Sequence, residues 1–160
     1  MGGMTAALPP VVLRELRPGE ERPATPSPYE DWGPLPQPIQ PPELGRLAIE
    51  HEGRVVGDLT WHAVHYGPNE GSKAWNIGIS LVPEARGRGL GAAAQRALAD
   101  LLFARTAVDR VEAQTDVENV AEQRSLTKAG FLREGVLRSA QQRHDGRHDL
   151  VSYARLRSDP

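Results

Sequence analysis

Apolar and charged residues mix over Val11-Val12-Leu13-Arg14-Glu15-Leu16-Arg17, which predicts a first strand over residues 11–17. Leu44 to His51 and Arg54 to Tyr66 are two more strand-like runs, joined by the turn dipeptide Glu52-Gly53, and together they predict a hairpin. After the polar loop 67–72, the run from Lys73 to Val82 becomes β-branched and apolar and stops at Pro83, as a buried strand leaving a sheet would. These three runs predict an antiparallel meander. The period then changes. Leu90, Ala94, Ala97, Leu98, Leu101 and Leu102 recur at three- and four-residue spacing, with Gln95, Arg96 and Asp100 assigned to the other face, so residues 92–105 predict an amphipathic helix lying on the sheet. Arg110 to Thr115 alternates as a half-buried strand, and a short helix from Asn119 to Ala129 is stopped by Gly130. Phe131 to Gln142 and Asp149 to Arg157 predict a closing hairpin around Asp145-Gly146. The order β, βββ, α, β, α, ββ is mixed α+β, and no segment repeats.

One stretch has no such pattern. Nine prolines fall between Pro18 and Pro42, so neither a helix nor a ladder strand can run through residues 18–43. An extended surface segment is one reading. Tyr29, Trp32 and Leu35 support another, because such side chains are costly to leave in water and could wall a pocket. At 160 residues the length fits one domain over 1–160. A net charge of −2 implies no general affinity for nucleic acid or anionic membrane. The absence of cysteine removes disulfides, thiolate metal sites and a cysteine nucleophile. Residues 1–8 carry no basic region before an apolar run, so no signal peptide or membrane span is expected and a cytoplasmic protein is the default.

The candidate chemistry lies between the fourth predicted strand and the first helix. There Pro83-Glu84-Ala85-Arg86-Gly87-Arg88-Gly89-Leu90-Gly91 spaces three glycines at alternate positions. Glycine lets a backbone approach a ligand and adopt conformations that a Cβ blocks. The free N–H groups of the next helical turn then face outward with the dipole behind them, which suits phosphate. A Walker loop would need Lys and Ser or Thr where Ala92 and Ala93 stand, which argues against a nucleoside triphosphatase. Gly87, Gly89 and Ala92 fit the dinucleotide fingerprint, with Asp109 and Glu112 about 20 residues on. However, no run of βαβ units follows.

What remains is Arg-x-x-Gly-x-Gly at Arg86, Gly89 and Gly91 after a strand ending Leu-Val-Pro, which resembles the pyrophosphate loop of the GCN5-related N-acetyltransferases (GNAT). Asn119 is followed by Lys128, Gly130 and Phe131, then Glu134-Gly135-Val136, and near the end Asp149-Leu150-Val151-Ser152-Tyr153. That order resembles the branch containing the RimJ- and RimL-like acetyltransferases of ribosomal-protein N-termini, over residues 47–157. The resemblance implies a mostly antiparallel sheet of six or seven strands, splayed between the fourth and fifth. The helices that relatives place before the meander are here replaced by the proline-rich segment, which leaves acceptor specificity open.

The same resemblance implies acetyl-CoA as the acyl donor and no metal. Its pantetheine arm would enter the splay beside Leu81 and Val82 like an added strand, its pyrophosphate would meet the amides of Gly87, Gly89, Leu90, Gly91 and Ala92, and Arg86 and Arg88 would supply charge. Asn119 would hydrogen-bond the arm, or only cap its helix; Lys128 is a further contact or a plain surface lysine. The positions the family uses for catalysis fall on Asn76, where relatives often carry a glutamate, and Glu122, where they often carry a serine; Tyr153 matches a possible thiolate proton donor or a core tyrosine. His62 and His65 lie three apart on one strand, on opposite faces, which argues against a paired metal site. Glu50, His51, Asp116 and Glu118 are undistinguished candidates, and His144 and His148 read as solvent-facing. The acceptor expected is a small-molecule or peptide primary amine, and a homodimer is left open. A catalytically weak coenzyme A binder and a nucleotide-binding or interaction module are the alternatives.

Overall fold

A computed structural model of the chain describes residues 6–34 and 40–160; Leu35 lies outside them. The strands are β1 (Val12–Arg14), β2 (Gly45–His51), β3 (Arg54–His65), β4 (Lys73–Leu81), β5 (Arg110–Asp116), β6 (Leu132–Arg143) and β7 (Gly146–Leu156). The helices are α1 (Leu90–Arg105) and α2 (Val120–Lys128). All seven strands form one sheet in the order β1-β2-β3-β4-β5-β7-β6. Every neighbouring pair is antiparallel except β4 with β5.

The element order is the one that the hydrophobic pattern predicts, and the differences are at the ends. β1 stops at Arg14 because the chain turns next, with the Glu20 N–H on the Arg17 carbonyl and the Glu20 carboxylate held by Arg14. The last hairpin is tighter than expected: β7 starts at Gly146, paired with Arg143, rather than at Asp149. Gly146 has φ +131°, a conformation other residues rarely adopt. α1 starts at Leu90, two residues early, because Gly89 serves as its N-cap with φ +79°.

The helices cover one face of the sheet. Ile49, Leu59, Trp75, Ile77, Val111, Ala113, Val151 and Tyr153 meet Ala94, Leu98, Leu102, Leu126 and Phe131 there in a single core. Alternation sends the intervening residues to the other face, which is polar: Arg14 pairs with Glu50 at 2.6 Å and Arg46 with Asp58 at 3.1 Å. The proline-rich segment, far from free, is tied to this face. Arg22 reaches Asp58 at 3.5 Å. The Arg86 guanidinium donates to the Pro26 carbonyl at 2.6 Å, and the His144 N–H donates to the Asp31 carbonyl at 2.8 Å. Among the described residues no helix is long and apolar enough to cross a membrane.

Phe131, directly after the Gly130 stop of α2, is 1% exposed and among the largest side chains fully buried in the core. Phe131→Ala should cost about 3–5 kcal/mol by the usual range for such truncations. Urea unfolding measures it; a loss below about 1 kcal/mol would show that the core does not close around this ring.

Candidate active site

β4 and β5 pair in parallel at only two positions, Trp75 with Val111 and Asn76 with Glu112. Beyond them each strand keeps its outer partner, β4 staying on β3 as far as Leu81 and β5 on β7 as far as Asp116. The inner edges of 77–81 and 113–116 therefore carry backbone groups without a ladder partner, and such groups need one. Between the edges opens a cavity of about 750 Å³. Its walls are Ile77 to Leu81, Ala113 to Asp116, the glycine loop, the start of α2, and Thr25, Ser27 to Glu30 and Trp32 from the proline-rich segment.

The loop closes the wide end. After a short turn at Pro83–Ala85, Gly87 and Gly89 take φ +71° and +79°, which brings the chain round to start α1. The first helical bond runs from the Ala93 N–H to the Gly89 carbonyl at 3.1 Å, and no side chain caps the helix. Among the described residues no backbone acceptor takes the N–H groups of 87–92, so these donors and the positive end of a sixteen-residue helix point at the cavity mouth. Gly91 has a separate reason. A Cβ there would lie 2.9 Å from the Ser125 hydroxyl of α2, so its absence lets the two helices approach.

α2 supplies the opposite wall. Asn119 caps it, its side-chain oxygen accepting from the Glu122 N–H at 3.3 Å, and Asn119 also lines the cavity, so the two readings of this residue coexist. One turn further, Arg124 and Lys128 line the cavity four residues apart on one helix face. Glu122 is wedged between the helices. Its carboxyl is hydrogen-bonded to the Gln95 side chain, which also accepts from the Ser125 hydroxyl at 3.0 Å. Burial pushes the Glu122 carboxyl up to about 7, against the opposing pull of that Gln95 bond. A carboxyl lining the cavity can therefore hold and release a proton near neutrality.

Several expected site residues are placed differently. Leu81, Gly87, Gly89, Gly91 and Ala92 line the cavity. Val82 and Leu90 do not: the Val82 N–H is taken by the Val56 carbonyl at 2.9 Å, and Leu90 is 1% exposed in the core. Arg88 is exposed and lies outside the cavity walls. Arg86 lines the cavity but spends its guanidinium on the carbonyls of Leu81 and Pro26, so it is a tie between loop and segment rather than a free charge. Tyr153 is packed in the core at 4% exposure and lies outside the cavity walls. Asn76 sits on the polar face, donating to the side chains of Gln114 and Glu112.

His148, expected in solvent, instead faces Asp116 at 3.2 Å and Asp145 at 2.6 Å, beside the buried pair of Asp116 with Arg143. Gln95, assigned to the exposed face of α1, is 1% exposed. Its place on the stripe was readable, three residues before Leu98 and four after Gly91; only its polar head misled. Arg124 was signalled by its i,i+4 spacing to Lys128. Glu30 had no signal, since it stands in a segment without period.

The raised Glu122 pKa makes a stability prediction. Between the ordinary carboxyl range and about 7 the folded chain holds a proton that the unfolded chain has released, so this group's contribution is full at low pH and is lost as pH rises to about 7. Glu122→Gln should therefore raise the melting temperature relative to wild type at about pH 8 and leave it nearly unchanged at about pH 4. Equal shifts at both would contradict a buried neutral carboxyl.

The model of the acetyltransferase (GNAT) domain matches residues 19–132. Among solved structures, RimJ of Mycobacterium smegmatis, in complex with CoA-disulfide, is 26% identical over 71% of this chain and 53% of its own, with a TM-score of 0.64. RimL, a ribosomal L7/L12 alpha-N-protein acetyltransferase in complex with coenzyme A, is 24% identical over 71% and 62%, with a TM-score of 0.62. The ribosomal-protein-S5-alanine acetyltransferase of Vibrio fischeri is 20% identical over 71% and 62%, also at 0.62. This chain thus spans between 53% and 62% of these three structures. No curated protein matches it. The family model and the splay between β4 and β5 agree: the chain belongs to the GCN5-related N-acetyltransferases.

Proposed function

We propose that this protein transfers an acetyl group from acetyl-CoA to a primary amine of low pKa, an α-amine of a small molecule, amino acid or peptide, by direct attack. The observation that carries this reading is the cavity formed where β4 and β5 part beside an uncapped helix. The amides of 87–92 hold the pyrophosphate, with Arg124 and Lys128 adding positive charge around it and Arg88 exposed on the same loop. The free edges of 77–81 and 113–116 pair with the pantetheine amides as an added strand. Asn119 contributes the remaining amide of its side chain. The coenzyme found in the RimJ and RimL structures supports this assignment.

Attack on a thioester needs a neutral amine, a donor for the developing oxyanion and a proton for the departing thiolate. Unpaired N–H groups on the inner edge of β4 can serve the oxyanion. Glu122, protonated up to about pH 7, gives the thiolate its proton. Among the described residues no histidine lines the cavity, and the carboxylates that do are weak bases, which bears on the acceptor. An α-amine with pKa near 7.7 to 8 is roughly 10 to 20% neutral at pH 7, whereas a lysine amine near 10.4 is neutral to well under 0.1%. A second reading, a coenzyme binder without turnover, rests on Asn76, which cannot act as a base.

Three outcomes are expected. Calorimetry should detect acetyl-CoA binding that weakens about tenfold or more in Gly89→Asp, which sets a carboxylate among the phosphate-facing amides; undiminished affinity would contradict the loop assignment. Thiol release in the presence of amines should favour alaninamide over Nα-acetyllysinamide, and a clear preference for the ε-amine would remove the low-pKa argument. Glu122→Gln should lower kcat by about 100-fold, near the lower end for loss of a general acid, and abolish the decline in rate above about pH 7. An unchanged profile would exclude Glu122 as the proton donor.

A further inference from the structure

The proline-rich segment forms the wall of the cavity on the polar side of the sheet, and its attachments are specific. Ser27 caps a single turn at Pro28–Glu30, its hydroxyl accepting from the Tyr29 N–H at 3.3 Å while its carbonyl accepts from the Glu30 N–H at 3.2 Å. On one side of this turn Arg86 holds the Pro26 carbonyl at 2.6 Å. On the other, the Tyr29 hydroxyl donates to the Glu118 carbonyl at 3.4 Å, the Arg143 guanidinium stacks 5.9 Å from the Tyr29 ring, and the His144 N–H holds the Asp31 carbonyl. The turn therefore spans the splay from the end of β4 to the loop after β5. It cannot drift as a free arm would.

Glu30 ends that turn and lines the cavity. Among the described residues its carboxylate makes no ion pair and no side-chain hydrogen bond. The other acids in the wall differ: Asp116 is paired with Arg143 and Glu122 is bonded to Gln95, while Glu118 is exposed beside the Tyr29 tie. The bases are distributed unevenly. Arg124 and Lys128 stand on α2, and Arg86 has its guanidinium on two carbonyls. One part of the cavity is thus basic, as a phosphate-bearing donor requires, and the part under the strap presents carboxylates.

Building on the acetyltransferase reading, we infer that Glu30 is the acceptor-selecting residue: its carboxylate, carried on the strap's turn and exposed where it lines the cavity, binds the ammonium group of a cationic amine acceptor and takes the proton that must leave before attack. The proton balance is simple. The ammonium gives one proton to the Glu30 carboxylate, which passes it to water; the neutral amine forms the C–N bond as the C–S bond breaks; the thiolate receives the Glu122 proton, and the second N–H proton, acidic once the C–N bond exists, replaces it. The groups facing Glu30 suit this task. Partial burial raises the Glu30 carboxyl above the ordinary range, Asp58 on β3, itself held by Arg22 and Arg46, adds to the rise, and Arg86 opposes both. A base so raised lies closer to neutrality and to the pKa of an α-amine.

The test uses the full chain, acetyl-CoA and three probe amines: alaninamide, Nα-acetyllysinamide and benzylamine. Coenzyme A affinity is measured separately by calorimetry. In Glu30→Gln the KM for alaninamide should rise about tenfold or more, as expected for a lost charged hydrogen bond. The rise of kcat/KM with pH should lose the limb belonging to Glu30, coenzyme A affinity should stay within about twofold, and Glu30→Asp should recover part of the loss. A Glu30→Gln variant with the wild-type KM and pH profile would overturn the inference. So would a loss of coenzyme A affinity as large as the loss in KM, which marks a structural role. If wild type binds coenzyme A yet no probe amine releases thiol, the acceptor site is refuted while the donor site stands; if coenzyme A does not bind, the underlying reading fails first.

Discussion

Two parallel strands that share only two paired residues are the constraint on which this molecule depends. A sheet gains by pairing every backbone group it can, and a gap between neighbours leaves donors and acceptors that water or a ligand must satisfy. Here the gap persists because each strand is better held elsewhere. β4 is registered against β3 from Lys73 to Leu81, and β5 against β7 from Arg110 to Asp116, while α1 and α2 fill the space beneath with Leu98, Leu102, Leu126 and Phe131. The divergence is thus fixed by the two half-sheets and the core between them. It also carries the starts of both helices to one place, so amides, a capping asparagine and a buried carboxyl converge on a single cavity.

The second constraint comes from the proline-rich segment, whose described residues hold a single short turn at Pro28–Glu30. A chain with nine prolines in 25 residues loses little conformational freedom when it is tied down, so a few directed contacts suffice to hold it. Arg86 is central to this arrangement. The loop arginine serves as a clamp, joining the glycine turn before α1 to the strap across the cavity. Two walls of the cavity are therefore connected by one side chain.

Much of this could be read from the sequence, for identifiable reasons. Strands and helices obey periods of 2 and 3.6, so their order followed from Ile77, Ile79 and Leu81 alternating and from Leu90, Ala94, Leu98 and Leu102 recurring. The glycine loop was legible because positive φ at Gly87 and Gly89 is a demand that few residues meet. What could not be read was pairing across long separations. Nothing local told that Gln95 would meet Glu122, or that Asp116 would gather Arg143 and His148. Tyr29 and Trp32 signalled a wall through their apolar area, but Glu30 carries no such mark. Its role rests on where two flanking ties put it.

The proposed activity requires a ligand that occupies the split between β4 and β5 with its phosphates at the start of α1. Amide chemical-shift mapping by NMR as coenzyme A is titrated into the full chain addresses this directly. The N–H signals of Gly87, Gly89, Gly91 and Ala92 should shift most, together with those of Gly78 to Ser80 and Ala113 to Thr115 along the two free edges. Saturation with no movement in these signals, or shifts confined to the β6–β7 hairpin or the β1 edge, would contradict it.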